Sequence, residues 1–262
     1  MKYFLSIISI TLLISCSNSD DNSPSEEQFC GIFEGSITLP SDDAIKEFGR
    51  CNYTEITGDL IILESSYAFT ITDLSPLSSI TKVGGLLRLG GFRELNNLNG
   101  LHNIESADRL AIDYAVALEN LDDLDKLQTR NIGLSNNYAL QNIDGIDMES
   151  DTIDGIGINN SPLLTNLNAF SNIKFISTGL GIKGCDSLID LEGLNNVESI
   201  GENYSVDCCG ALQIIDNFYL ESLDGLENLT YLGGDLKILN NTYLENLDGL
   251  QNLEYLHGDI DI

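Results

Sequence analysis

Chemistry in this chain would have to come from its histidines, cysteines, carboxylates or bare backbone, and each leaves a different spacing. The two histidines, His102 and His257, occupy unrelated places, and neither makes a metal-ligand spacing with a cysteine or with the other. No Gly-x-Ser-x-Gly elbow, phosphate-binding glycine loop or dinucleotide fingerprint occurs. With 41 acidic residues against 12 basic ones, carboxylate pairs arise from composition alone. The chain has no tryptophan to hold a sugar ring beside such a pair. The expectation is therefore a protein that is not an enzyme, with no cofactor and no metal; a glycan-degrading enzyme is the weakest alternative.

What remains is backbone. Gly133, Gly155, Gly157, Gly179 and Gly181 recur at matching places in three successive short apolar runs. Glycine inside a strand costs roughly 0.5–1 kcal/mol relative to alanine, so five of them imply that something approaches closely. The candidate site is this bare strip, flanked by Arg88, Arg109, Asn159, Lys183 and Lys237, on which a protein chain or a glycan would lie. The alternatives are drift to glycine and a cover formed by the 202–209 loop.

The elements that must hold such a strip are legible as a repeat of about 24 residues, seen best in Leu220-Glu-Ser-Leu223-Asp-Gly-Leu226-Glu-Asn-Leu229 and Leu244-Glu-Asn-Leu247-Asp-Gly-Leu250-Gln-Asn-Leu253. A period of this length means stacked turns of a solenoid, because one copy cannot bury its own apolar face. Alternating triplets begin at Leu60, Leu87, Leu110, Ile132, Ile156, Leu180, Leu212, Leu236 and Ile260. Their alternation predicts nine short parallel strands, outer residues of each triplet inward and the middle one outward. The Leu-x-x-Leu-x-x-Leu spacing between them predicts an extended or 3₁₀-like path, and recurring glycine excludes a long α-helix there. The expected fold is mainly β, a right-handed leucine-rich-repeat-like solenoid with one strand per turn.

Two polar columns accompany the repeat. Asn137, Ser161, Cys185, Asn217 and Asn241 are the fifth residue after the start of successive strands, where side chains can satisfy turn backbone. Asn99, Asp122, Asp144, Asn168, Glu192, Asp224 and Asp248, mostly followed by glycine, fit tight turns. Calcium, relieving repulsion between stacked carboxylates, is the second reading of that column.

The ends differ from the repeat. Lys2 and the apolar run Tyr3 to Ile14 read as a signal peptide. Leu13-Ile14-Ser15-Cys16 resembles the lipobox of bacterial lipoproteins, which implies lipidation of Cys16. Ser17 to Gln28 is polar and acidic, a tether unable to collapse, and its start resembles export signals of Bacteroidetes surface lipoproteins. The expected organisation is 1–15 signal peptide, 16–29 tether, 30–52 N-terminal cap and 53–262 solenoid, with a C-terminal end at Ile262 that lacks a cap. Anchoring at the outer membrane, facing the cell surface, follows from the same resemblance. Export permits disulfides: Cys30 with Cys51, and Cys185 with Cys208 or Cys209. A net charge of −29 makes nucleic acid and anionic lipid head groups poor partners, so membrane contact is expected through the lipid alone.

The segment Cys51-Asn-Tyr-Thr-Glu-Ile56-Thr-Gly-Asp-Leu60-Ile-Ile62, the spacing Leu74-x-x-Leu77-x-x-Ile80-x-x-Val83-Gly-Gly and the turn Leu212-Gln-Ile-Ile-Asp-Asn217-Phe-Tyr-Leu220 resemble the receptor L domain. The resemblance covers about residues 51–262 and implies a largely β solenoid that binds ligands. The turns here are more regular than in that family, so hormone binding is not carried over. Function is expected to be recognition or adhesion without catalysis, the alternative being a structural spacer that displays a further domain.

Overall fold

The computed structural model describes residues 31–64, 70–201 and 212–262. It is a β-solenoid of about nine turns, 31% strand and 9% helix, so the polypeptide between strands is mostly turn. In chain order the elements are β1 (Ile32–Phe33), β2 (Ile37–Leu39), helix α1 (Asp42–Gly49), β3 (Glu55–Ile56), β4 (Leu60–Leu63), β5 (Lys82–Gly90), β6 (Ser106–Asp113), β7 (Asn131–Ser135) and β8 (Thr152–Asn159). They continue with β9 (Phe175–Lys183), β10 (Ser199–Ile200), β11 (Leu212–Ile215), β12 (Tyr231–Leu232), β13 (Leu236–Leu239), β14 (Tyr255–Leu256) and β15 (Ile260–Asp261).

All pairings are parallel, and they form two adjoining columns. One runs through the anticipated triplets, β2-β4-β5-β6-β7-β8-β9-β11-β13-β15. The other is made of two-residue segments just upstream in each turn, as in β3 to β5 and β10-β12-β14. In β5 and β8 both segments belong to one strand, with the register slipping between Val83 and Leu86 and between Ile153 and Gly155. Such irregularity bends the strand where the columns meet.

All nine predicted triplets begin within these strands. The structure adds the second column, and it adds β2, which pairs Ile37 with Leu60 and so extends the sheet into the segment read as a cap. Helix α1 follows it. Ser41 accepts from the amide of Ala44 at 3.2 Å, and Asp42 and Asp43 occupy the first turn, where carboxylates oppose the helix dipole. Phe33, Phe48 and Tyr53 pack ring against ring, 4.9–5.4 Å between centroids, and seat the helix on the first turn.

The triplet residues facing inward from β4 to β13 are at most 4% exposed. The Leu-x-x-Leu stretches supply the opposite wall. Leu95, Leu98, Leu101 and Ile104 are buried, as are Leu220, Leu223, Leu226 and Leu229. Short 3₁₀ turns at Ser75–Leu77, Asp122–Leu124, Asn168–Phe170 and Asp248–Leu250 give this wall its three-residue period. The core is thus one continuous stack of leucine and isoleucine layers.

Candidate functional site

Strand register places Ile61, Arg88, Ala111, Gly133, Gly157, Gly181, Gln213 and Lys237 side by side in one outward column. Asn131, Gly155 and Gly179 form a parallel column two residues earlier. The middle of this face is a shallow open depression of about 620 Å³. Its floor is the backbone of the glycines with Ile132, Ile156 and Leu180, and its rim is Asn131, Asn159, Thr178 and Gln213. The five strip glycines and Asn159 are therefore brought together as expected.

The four flanking cations are not in the depression, and each stands against an acid. Arg88 pairs with Asp113 at 3.0 Å, Arg109 with Asp108 at 3.9 Å, Lys183 with Asp216 at 3.6 Å and Lys237 with Asp235 at 3.1 Å. The amide of Asp259, first, and then Lys237 hold the Asp235 carboxyl below its ordinary range. Among the described residues the lining of the depression carries no charge. The side-chain amides of Asn131, Asn159 and Gln213 have no hydrogen-bond partner among the described residues, whereas Thr178 donates to the carbonyl of Asp154 at 2.6 Å. Thr178 and Gln213 were not among the anticipated site residues. Gln213 had a readable signal as the middle residue of its triplet; Thr178 lies in β9 between the segments that join the two strand columns.

The glycines have different reasons to be glycine. A side-chain carbon at Gly155 would sit 2.8 Å from Thr178 Oγ1 and 3.0 Å from Asn131 Nδ2, so this position is closed by its neighbours. Among the described residues such a carbon meets nothing within 4 Å at Gly157 and Gly181, and at Gly133 only the Leu110 carbonyl oxygen at 3.9 Å. None of these three has positive φ. Contrast Gly100, Gly193 and Gly225, where φ is 105–112° and a methyl would overlap the carbonyls of Leu74, Leu167 and Leu191. Those glycines let one turn lie against the next; Gly133, Gly157 and Gly181 have no such duty.

The acid-rich column occupies those same turns. The amides of Asn99, Glu192 and Asp248 donate to Asn97, Asp190 and Asn246 at 2.9–3.0 Å, the side chain two residues back closing each turn. No group of three or more metal-ligating side chains occurs among the described residues. His102 Nδ1 faces the amide of Gly100 at 3.4 Å, and His257 lies 5.6 Å from the Tyr231 ring.

The buried polar column does satisfy backbone. Asn137 donates to Ile112 O at 2.9 Å and accepts from the amide of Ala115 at 3.1 Å. Asn217 does the same for Ile182 and Cys185, and Asn241 for Ile214 and Asn217. The ladder is interrupted at Ser161, whose buried hydroxyl has no partner among the described residues, and at Cys185, whose thiol burial pushes up to about 12. Cys51 and Cys185 are free thiols; the partners expected for them, Cys30, Cys208 and Cys209, lie outside the described residues, as do Cys16 and the 202–209 loop.

No protein-family model, characterised protein or solved structure matches the chain. No helix among the described residues is long and apolar enough to cross a membrane.

Proposed function

We propose that this protein is a non-catalytic recognition module whose binding surface is the glycine strip of β7, β8 and β9. The observation that carries the reading is that Gly133, Gly157 and Gly181 face outward with no close neighbour among the described residues and no positive φ. Three adjacent turns thus forgo a side chain that their own fold would accept. A face left bare in this way lets a ligand reach main-chain groups and the free amides of Asn131, Asn159 and Gln213. An uncharged lining favours a neutral hydrogen-bonding ligand, a glycan or an extended peptide, over an ion.

The lipobox-like Leu13-Ile14-Ser15-Cys16 supports lipid anchoring at the outer membrane, and the resemblance of residues 51–262 to the receptor L domain supports ligand binding on a solenoid. Together they describe a surface lipoprotein that adheres to or recognises a protein or glycan. The test is a glycan array probed with the full-length protein and with Gly157→Arg, both checked for the same melting temperature. A signal lost in the variant is the expected result. Identical signals from both proteins would rule out the strip. Silence from both would redirect weight to a peptide ligand or to the spacer role.

A further inference from the structure

A second surface, sharing no residue with the strip, has the chemistry of a cation receptor. Phe218, Tyr219 and Tyr243 are 43%, 52% and 51% exposed, yet they touch one another. Centroids are 4.9 Å apart for Phe218 and Tyr219, 5.4 Å for Phe218 and Tyr243, and 5.5 Å for the stacked Tyr219 and Tyr243. The turns carrying them are tied by the amide of Tyr243 donating to Phe218 O at 3.3 Å and that of Glu245 to Glu221 O at 3.1 Å.

The repeat supplies its own control. The residue before the inward leucine is Ala117, Ala139, Leu163 and Ser187 in earlier turns and Tyr219 and Tyr243 here, so the fold does not require a ring at that place. The residue after the leucine is Glu221 or Glu245. Tyr219 and Glu221 flank the buried Leu220 and are both exposed, as Tyr243 and Glu245 are on either side of Leu244, so each tyrosine has an exposed carboxylate two residues away. Asp186 adds a third carboxylate, 3.1 Å from the amide of Phe218. None of these three acids is ion-paired among the described residues.

Exposed ring faces attract ammonium and guanidinium groups, most strongly where a carboxylate completes the contact. We infer that this ledge docks a basic polypeptide segment, with lysine or arginine side chains lying on Tyr219 and Tyr243 and their charge met by Glu221, Glu245 and Asp186. The chain's net charge of −29 would draw such a segment in from a distance, and the rings would fix where it stops.

The test is binding of a labelled octa-arginine peptide to the full-length protein at physiological salt, with a glycine-serine peptide of equal length as control. Tyr219→Ser with Tyr243→Ala copies residues that other turns already use and leaves the net charge unchanged; it should weaken binding about tenfold. Tyr219→Phe with Tyr243→Phe keeps the ring faces and should bind as the parent does. Glu221→Gln with Glu245→Gln should weaken binding more than Asp147→Asn with Glu149→Gln, which removes equal charge elsewhere. Unchanged binding in the Ser/Ala variant, equal loss from both acid pairs, or equal binding of the neutral peptide would each overturn the proposal, the first two by reducing it to bulk electrostatics.

Discussion

A methyl group added at Gly100 and one added at Gly157 meet opposite surroundings. At Gly100 it would collide with the Leu74 carbonyl on a backbone held at φ 112°; at Gly157 it would enter open space. Gly100→Ala should therefore destabilise the protein by about 2–5 kcal/mol through strain and overpacking. Gly157→Ala and Gly181→Ala should each stabilise it by roughly 0.5–1 kcal/mol, since alanine restricts the unfolded chain at no steric cost. Urea denaturation of the three variants separates glycine kept for folding from glycine kept for something outside the fold. A loss of stability at position 157 or 181 would remove the main support for the binding strip.

At the scale of elements, the asparagine ladder holds the corners after β6, β9 and β11. Asn137→Ala orphans Ile112 O and the amide of Ala115, both inside the protein, and should cost about 2–4 kcal/mol. Ser161→Ala removes a hydroxyl that bonds to nothing and should change stability by less than about 1 kcal/mol. Equal losses in the two variants would mean that the column acts by packing and not by hydrogen bonding. This column was readable because Asn137, Asn217 and Asn241 keep a fixed distance from a triplet whose alternation is itself unmistakable. The second strand column was not, because two residues such as Ser199–Ile200 or Tyr231–Leu232 cannot display an alternation; they become strand through register with their neighbours. A second ladder went unread for a different reason. Asn103, Asn172, Asn196, Asn228 and Asn252 each donate to a carbonyl one turn back at 2.6–3.0 Å. Their constant place before Ile104, Ile173, Val197, Leu229 and Leu253 was visible, yet asparagine in a turn needs no partner one turn away to explain it. The strip could be located from sequence, but only coordinates distinguish Gly155, closed by Asn131 and Thr178, from Gly157, which is open.

The described residues form a stack of turns in a chain with far more acid than base, and translation along the stack sets like charges over like. The amide of Glu245 donates to Glu221 O at 3.1 Å, which stacks these two acids on neighbouring turns, and at the roughly 4.8 Å separation of adjacent strands two charges in water repel by about 1 kcal/mol. The basic residues do little against this. Arg88, Lys183 and Lys237 are each engaged with an acid of their own, the cation of each pair remaining 34–49% exposed, and a pair so placed contributes about 0–1 kcal/mol. Repulsion should therefore outweigh attraction, and screening should favour the folded state. Raising sodium chloride from 0.02 to about 0.5 M shortens the Debye length from over 20 Å to below 5 Å. The melting temperature should then rise by about 2–4 °C, the equivalent of roughly 1 kcal/mol for a chain of this size. A fall would mean that the ion pairs dominate. Calcium at matched ionic strength discriminates further: a rise no larger than that given by sodium chloride, unaltered by a chelator, leaves the acid column as turn chemistry, whereas a larger rise abolished by the chelator would assign it a bound ion.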